Sequence, residues 1–220
     1  PMVLMYSRII KLNPGSDLFT AMEHLMGKVF GKILTALMTW YSIYLAAMLL
    51  RAFAEFNEIA SMPETPQLPL ILIMALAASY LVRCGGVALG KWSVAMFSVV
   101  LGFVVLTVLL SLNIMNFSNI LPFFEHGVGE ISKSAFSVLA YPFMETVLFL
   151  GMADFIAPQD SPGRIYVVAT LISGGLLLVI VLRNLFVLGA AVVELEAFPS
   201  YVTARVVHVG NFIERVEAFI

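Results

Sequence analysis

Pro142 and Glu145 stand three residues apart in AYPFMETVLF, Ala140 to Phe149, inside an otherwise apolar run. Proline removes a backbone donor and clashes with the preceding helical turn. An ionised carboxylate at the centre of a hydrocarbon layer costs ~2.5 kcal/mol or more. Two arrangements accommodate both residues. In one, a proline-kinked helix turns Glu145 inward onto a polar partner. In the other the helix is broken: Pro142 ends one half, a few residues run irregularly, and a second half starts near Glu145. Irregular backbone at membrane depth survives only where it is buried in protein or lines a cavity. Its freed amides then favour an anion and its freed carbonyls a cation, so the main chain itself supplies the binding chemistry. Counted from Lys133, Pro142 lies ~14 Å along a helix, near mid-membrane. That depth favours the broken form; the kinked form stays open.

Two further segments could share such a site. TWYSIYLAA places Trp40, Tyr41 and Tyr44 a third to half way along the apolar run after Lys32. Tyr41 and Tyr44 are three residues apart and share a helix face. A phenol at that depth needs a partner for its hydroxyl, either a ligand or a neighbouring helix. In LISGGLLL, Ser173, Gly174 and Gly175 are small enough to let helices approach closely. Lys91 is isolated near a predicted span end, where its ammonium can snorkel to the interface.

Other chemistries lack their residues. There is no HExxH, no phosphate-binding loop and no GxSxG elbow. His24, His126 and His208 fall in separate segments, and Glu125, His126 and Glu130 in FEHGVGE read as solvated loop residues rather than metal ligands. One cysteine, Cys84, forms neither an intrachain disulfide nor a multi-thiolate site. No catalytic pair, metal site or cofactor motif is expected, and the chain reads as a non-enzyme.

The elements that must position these residues follow from composition. Of 220 residues, 61% are hydrophobic and 12% charged, and the mean hydropathy is +1.00. A soluble domain carries about 25% charged residues. The net charge of −2 is too small and dispersed to suggest nucleic acid. The charges bracket apolar runs: Lys32 to Arg51, Glu64 to Arg83 and Arg164 to Arg183 each enclose 18 uncharged residues, and Lys91 to Glu125 encloses 33. Eighteen helical residues rise ~27 Å, close to the ~30 Å hydrocarbon core. The chain therefore reads as all-α, a single transmembrane domain over 1–220, with spans at about 33–51, 67–83, 91–112, 133–156 and 165–188. Residues 1–10 resemble the tail of an earlier span and 212–220 the opening of another, so the chain reads as a partial domain.

Lys and Arg divide seven to five between the two sides, with Arg8, Lys11, Lys28, Lys32, Arg83, Lys91 and Arg164 on the richer side. The positive-inside rule makes that side cytoplasmic. Asn13-Pro14-Gly15 is a turn and Ser16 a candidate cap for a short helix with Leu18, Phe19, Met22, Leu25 and Met26 on one face. That helix either lies in the interface or simply connects. Thr65 is a candidate N-cap with Pro66 the first helical residue of the next span. In NIMNFSNILPFFEHG, Phe117, Ile120, Leu121, Phe123 and Phe124 are too apolar for a solvated loop and are expected to pack on the outer face.

Taken in order and spacing, NPGSDLFTAMEHLMGKVFGKIL, LRAFAEF followed by MPETP, NFSNILPFFEHG, LAYPFMETVLFL and FPSYVTARVVHVGNFIER make the chain resemble the B subunit of spore germinant receptors. That family is a branch of the amino acid–polyamine–organocation transporter superfamily. The resemblance implies a LeuT-like, inverted-repeat transporter fold, of which this chain covers the end of the second helix to the start of the eighth. It implies a helix break around Tyr141–Glu145. Ala140, Tyr141, Pro142 and Phe143 would form unwound backbone, Glu145 would begin the inner half-helix, and Tyr41 and Tyr44 would face the pocket. It implies a receptor subunit that senses a small nutrient, often an amino acid, in the inner membrane of a bacterial spore. The implied partners are an A-type membrane subunit and a C-type lipoprotein. A working amino acid transporter of the same fold is the alternative reading. With part of the expected pocket outside these 220 residues, the chain alone is expected not to bind ligand normally.

Overall fold

The computed structural model describes residues 2–12, 18–61, 63–121, 127–155 and 161–206. Among them there is no strand. The helices are α1 (Met2–Leu12), α2 (Leu18–Met26), α3 (Lys28–Ala60), α4 (Gln67–Arg83), α5 (Gly86–Ser111), α6 (Val128–Ala140), α7 (Pro162–Leu188), α8 (Ala190–Leu195) and α9 (Pro199–Val206). Two segments are wound more tightly, as 3-10 helix: Phe117–Ile120 and Phe143–Phe155.

Among the described residues four stretches are long and apolar enough to cross a membrane: Lys28–Ala60, Gly86–Ser111, Val128–Met152 and Pro162–Leu188. Large apolar side chains of these stretches and of the shorter apolar helix α4 point outward, among them Trp40 at 67% in α3 and Leu76 at 69% and Tyr80 at 73% exposure in α4. A surface of that kind is stable only where the solvent is lipid, and this is an integral membrane protein. Helix ends do not coincide with membrane edges. α3 has 33 residues, a rise of ~50 Å, well beyond the hydrocarbon thickness. It continues past Arg51, which pairs with Glu55 one turn on at 2.7 Å. A flanking charge marks where lipid ends and leaves the helical hydrogen bonding intact. α5 likewise starts at Gly86, ahead of Lys91.

Starts and stops are set by backbone geometry. Gly27 separates α2 from α3 and Gly189 separates α7 from α8, each at φ 80°, a left-handed value that a side chain disfavours. The proposed cap at Thr65 is corrected: α4 starts at Gln67, with Pro66 in the cap position at φ −59° and ψ 140° and no side-chain cap bond. Because Pro66 is still extended, the Thr65 hydroxyl lies one residue too far upstream to cap the first amides. The turn at Asn13–Gly15, the cap at Ser16, residues Phe123 to His126 and the segment 212–220 lie outside the described residues.

The chain forms two compact units, Pro1–Met48 with Phe124–Gly174, and Leu49–Phe123 with Gly175–Ile220. In the first, α1, α2 and α6 all pack against the 3-10 segment Phe143–Phe155. A small core of Tyr6, Leu150 and Tyr166 joins α1, that segment and α7, flanked by Ile10 and Val147. In α2, Ala21 is buried and Phe19 meets Gly151, whereas Leu25 and Met26 face outward. In the second unit, α4 and α5 form a hairpin through Cys84 and Gly85. Phe56 of α3 packs edge-on against Phe198 and Tyr201, and the Tyr201 hydroxyl donates to the Ala60 carbonyl at 3.2 Å. The turn Phe117–Ile120 is held to the end of α7: the Asn116 amide and Asn119 Nδ2 both donate to the Phe186 carbonyl at 3.0 Å, and the Phe117 and Phe186 rings lie 4.9 Å apart. Phe117 and Leu121 are otherwise exposed.

Close approach is tightest at Gly31. A Cβ there would meet the Glu23 Cα at 2.7 Å and its amide nitrogen at 2.9 Å, so α2 lies directly on the start of α3. Main chain cannot give way as a flexible side chain would. Gly31→Ala is expected to destabilise the protein by about 1–3 kcal/mol, and Gly102→Ala, with nothing within 4 Å, to leave stability unchanged or slightly raised. Thermal unfolding of the two variants in detergent checks this; equal midpoints would contradict the close contact.

Candidate functional site

The α-helix running from Val128 stops at Ala140. Tyr141 is extended at φ −132° and ψ 121°, and the Tyr141–Pro142 peptide is cis. The chain resumes at Phe143 as a 3-10 helix, with non-helical angles again at Met152 (φ −110°, ψ 15°). The segment is therefore interrupted rather than kinked. It differs from the expected pair of α half-helices in that its second half is wound with i-to-i+3 bonds, beginning with Glu145 N–H to the Pro142 carbonyl at 3.2 Å.

The polar groups at the break can be followed one by one. The Tyr141 amide still donates to Ser137 at 2.9 Å. Beyond it no main-chain bond of normal hydrogen-bond geometry joins the carbonyls of Leu139 and Ala140 to the amides of Phe143 and Met144 across the gap. Pro142 has no amide hydrogen to give. The surroundings supply some replacements. Tyr6 of α1 donates its hydroxyl to the Met144 carbonyl at 3.3 Å, and the Thr146 hydroxyl donates to the Phe143 carbonyl at 2.7 Å.

Tyr41 and Glu145, 104 residues apart in sequence, meet here: the Tyr41 hydroxyl donates to Glu145 Oε1 at 3.0 Å. No Lys or Arg pairs with Glu145 among the described residues. The phenol thus solvates a carboxylate that sits in the first turn of the 3-10 segment. Tyr44 is placed differently. It is exposed and stacks on Trp40, with ring centroids 6.1 Å apart. Ala140 is half-buried, and Tyr141 and Pro142 face outward.

Phe143 turns toward α7. A Cβ on Gly174 would lie 3.5 Å from the Phe143 ring, so the small residue admits the aromatic one. Gly175 has nothing within 4 Å and contributes no such approach. Between the 3-10 segment and α7 lies a cavity of about 380 Å³. Phe143, Thr146, Phe149 and Met152 form one wall, and Ile165, Tyr166, Ala169, Thr170 and Ser173 the other. The cavity is mostly apolar with a few hydroxyls, the usual make-up of a small-molecule site. Of its α7 wall, only Ser173 was singled out from sequence. The signal was present: Tyr166, Ala169, Thr170 and Ser173 recur at spacings of three, four and seven, one helix face of small and hydroxyl-bearing residues. Tyr6 was missed because residues 1–10 were read only as the tail of a span. Among the described residues no three His, Cys, Asp or Glu come together as a metal site.

The contact between Tyr41 and Glu145 has a measurable strength. In a double-mutant cycle with Tyr41→Phe and Glu145→Gln, a coupling of about 1 kcal/mol is expected, in the range found for hydrogen bonds between membrane helices. Purely additive effects on unfolding would show that the two side chains do not meet.

Comparison with known proteins agrees with the motifs. Residues 2–220 match the family described as spore germination protein. The chain is 24% identical over 218 residues to spore germination protein KB of Bacillus subtilis (strain 168), covering 98% of this chain. It spans 58% of that relative's length. No solved structure matches it. With the family match running through the interrupted helix and both of its flanks, the chain belongs to the spore germination protein family.

Proposed function

We propose that this chain is part of the membrane subunit of a spore nutrient germinant receptor, in the inner membrane of a bacterial spore, and that it binds a small nutrient such as an amino acid at the break. The observation that carries this reading is the gap between Ala140 and Phe143, where the helical main-chain ladder is open, with Phe143 on the wall of a cavity of about 380 Å³. An amino acid carries an anionic and a cationic group on one carbon. Free amides at Phe143 and Met144 complement its carboxylate, and free carbonyls at Leu139 and Ala140 complement its ammonium. The cavity volume accommodates a small side chain. In this reading the nutrient shifts the subunit between two states by binding one of them more tightly. The A-type membrane subunit and the C-type lipoprotein receive that shift. The side richer in Lys and Arg faces the cytoplasm, and the fold completes as inverted repeats. No bond-making step is assigned to any residue.

The test is the nutrient response of the full-length protein in its receptor. Pro142→Ala favours an unbroken helix, and Ala169→Trp fills the cavity. Each is expected to raise the nutrient concentration for half-maximal germination at least about tenfold, the effect of ~1.4 kcal/mol, with the subunit still present in the membrane. A subunit that only packs against partners predicts the reverse: normal response from whatever receptor assembles. Radiolabelled amino acid uptake into vesicles distinguishes the second reading. Accumulation driven by an ion gradient would make the protein a transporter.

A further inference from the structure

The second compact unit contains a buried cation. Arg183, near the end of α7, is 4% exposed. A guanidinium has five N–H donors. Nε and Nη2 donate to Asn184 Oδ1 at 3.2 and 2.8 Å, Nη2 also reaches the Ser200 carbonyl at 3.3 Å, and Nη1 donates to Thr107 Oγ1. Every one of these acceptors is neutral. Among the described residues no Asp or Glu pairs with Arg183, and the second Nη1 hydrogen has no acceptor. Asn184 is itself fixed, donating to Ser200 Oγ at 3.0 Å and accepting from Thr203 Oγ1 at 3.1 Å. Among the described residues the Ser200 hydroxyl hydrogen also has no acceptor.

These groups do not face packed protein. Arg183, Thr107 and Ser200 line a cavity of about 280 Å³ whose remaining wall is apolar, with Val100, Phe103 and Ile180 on it. A guanidinium that served only to tie α5, α7 and α9 together would need no cavity beside it. An apolar packing defect would have no reason to hold an uncompensated charge, since burying a cation against neutral dipoles alone leaves much of its desolvation cost unmet. Buried positive charge, two donors without an acceptor among the described residues and an open apolar cavity together describe a receptor for an anion with an apolar body.

We propose that this cavity is an oxyanion site: Arg183 Nη1 and the Ser200 hydroxyl each take an oxygen of a carboxylate or phosphate, and the apolar wall takes the attached carbon chain. The site is independent of the nutrient reading at the helix break. The oxyanion can come from a small organic acid or from a phospholipid headgroup, since Arg183 stands 19 residues beyond Arg164, ~28 Å along the helix and near the opposite edge of the hydrocarbon layer.

Thermal unfolding of the detergent-solubilised chain separates these sources. Isovalerate is titrated against the neutral 3-methylbutanol, and phosphatidylglycerol is tested as the lipid probe. Binding at ten times the dissociation constant should raise Tm by about 3–6 °C, and the alcohol should not. Val100→Trp fills the chamber without touching the arginine's hydrogen bonds, and Arg183→Gln removes the charge; both should lose the shift. If either variant fails to fold, the other carries the comparison. A shift with phosphatidylglycerol alone, lost in Val100→Trp, supports the same site with lipid as the source. No shift with either probe, or a shift that survives filling the chamber, would overturn the proposal and leave Arg183 a packing residue.

Discussion

In hydrocarbon a main-chain N–H or C=O without a partner costs several kcal/mol, because no water is present to take its place. A continuous helix meets that constraint automatically. This chain departs from it between Ala140 and Phe143, and much of the first compact unit answers to that departure. Tyr6 from α1 takes the Met144 carbonyl, Thr146 takes the Phe143 carbonyl, and Tyr41 takes the carboxylate that opens the second half. The helices α1, α2 and α6 all lean on the segment after the break. The main-chain ladder stays open between the carbonyls of Leu139 and Ala140 and the amides of Phe143 and Met144.

Packing around the break is achieved with few buried residues. Between helices in lipid there is no hydrophobic driving force, so close fit and hydrogen bonds must hold them. Small residues supply the fit. Gly31 lies against the Glu23 main chain, Gly163 admits Ser7, and Gly174 admits the Phe143 ring. The second unit relies more on polar contacts: Arg183, Asn184, Thr107, Ser200 and Thr203 form one network across α5, α7 and α9. A polar cluster of this kind fixes which helices meet, at the cost of desolvating a charge.

The apolar runs were legible because charge is expensive in lipid, so the intervals between charges report membrane thickness. Helix ends were less legible. Arg51 lies well inside α3, since a surface charge does not stop helical hydrogen bonding. The end of α7 at Leu188 is set by Gly189, which takes a left-handed angle there. Pro142 beside Glu145 pointed from local chemistry to a kink or a break, and the fold has the break. From sequence, Tyr41 and Glu145 each needed a polar partner but nothing paired the two; they meet in the fold, and Tyr44, one turn away, stacks on Trp40. The 3-10 winding after Pro142 had no sequence signal, because it depends on what packs around Phe143–Phe155. Arg183 was read as the charge that ends a span. Its burial arises from α5 and α9, and nothing local in the sequence reports those neighbours.

The central claim is that the chain leaves the helix at Tyr141. Backbone ¹³C shifts of residues 138–146 in lipid bilayers, read by solid-state NMR on a selectively labelled sample, report it directly. The account predicts extended torsions at Tyr141, near φ −132° and ψ 121°, between helical values at Leu139 and at Thr146. Unbroken helical shifts from Leu139 through Thr146 would contradict it.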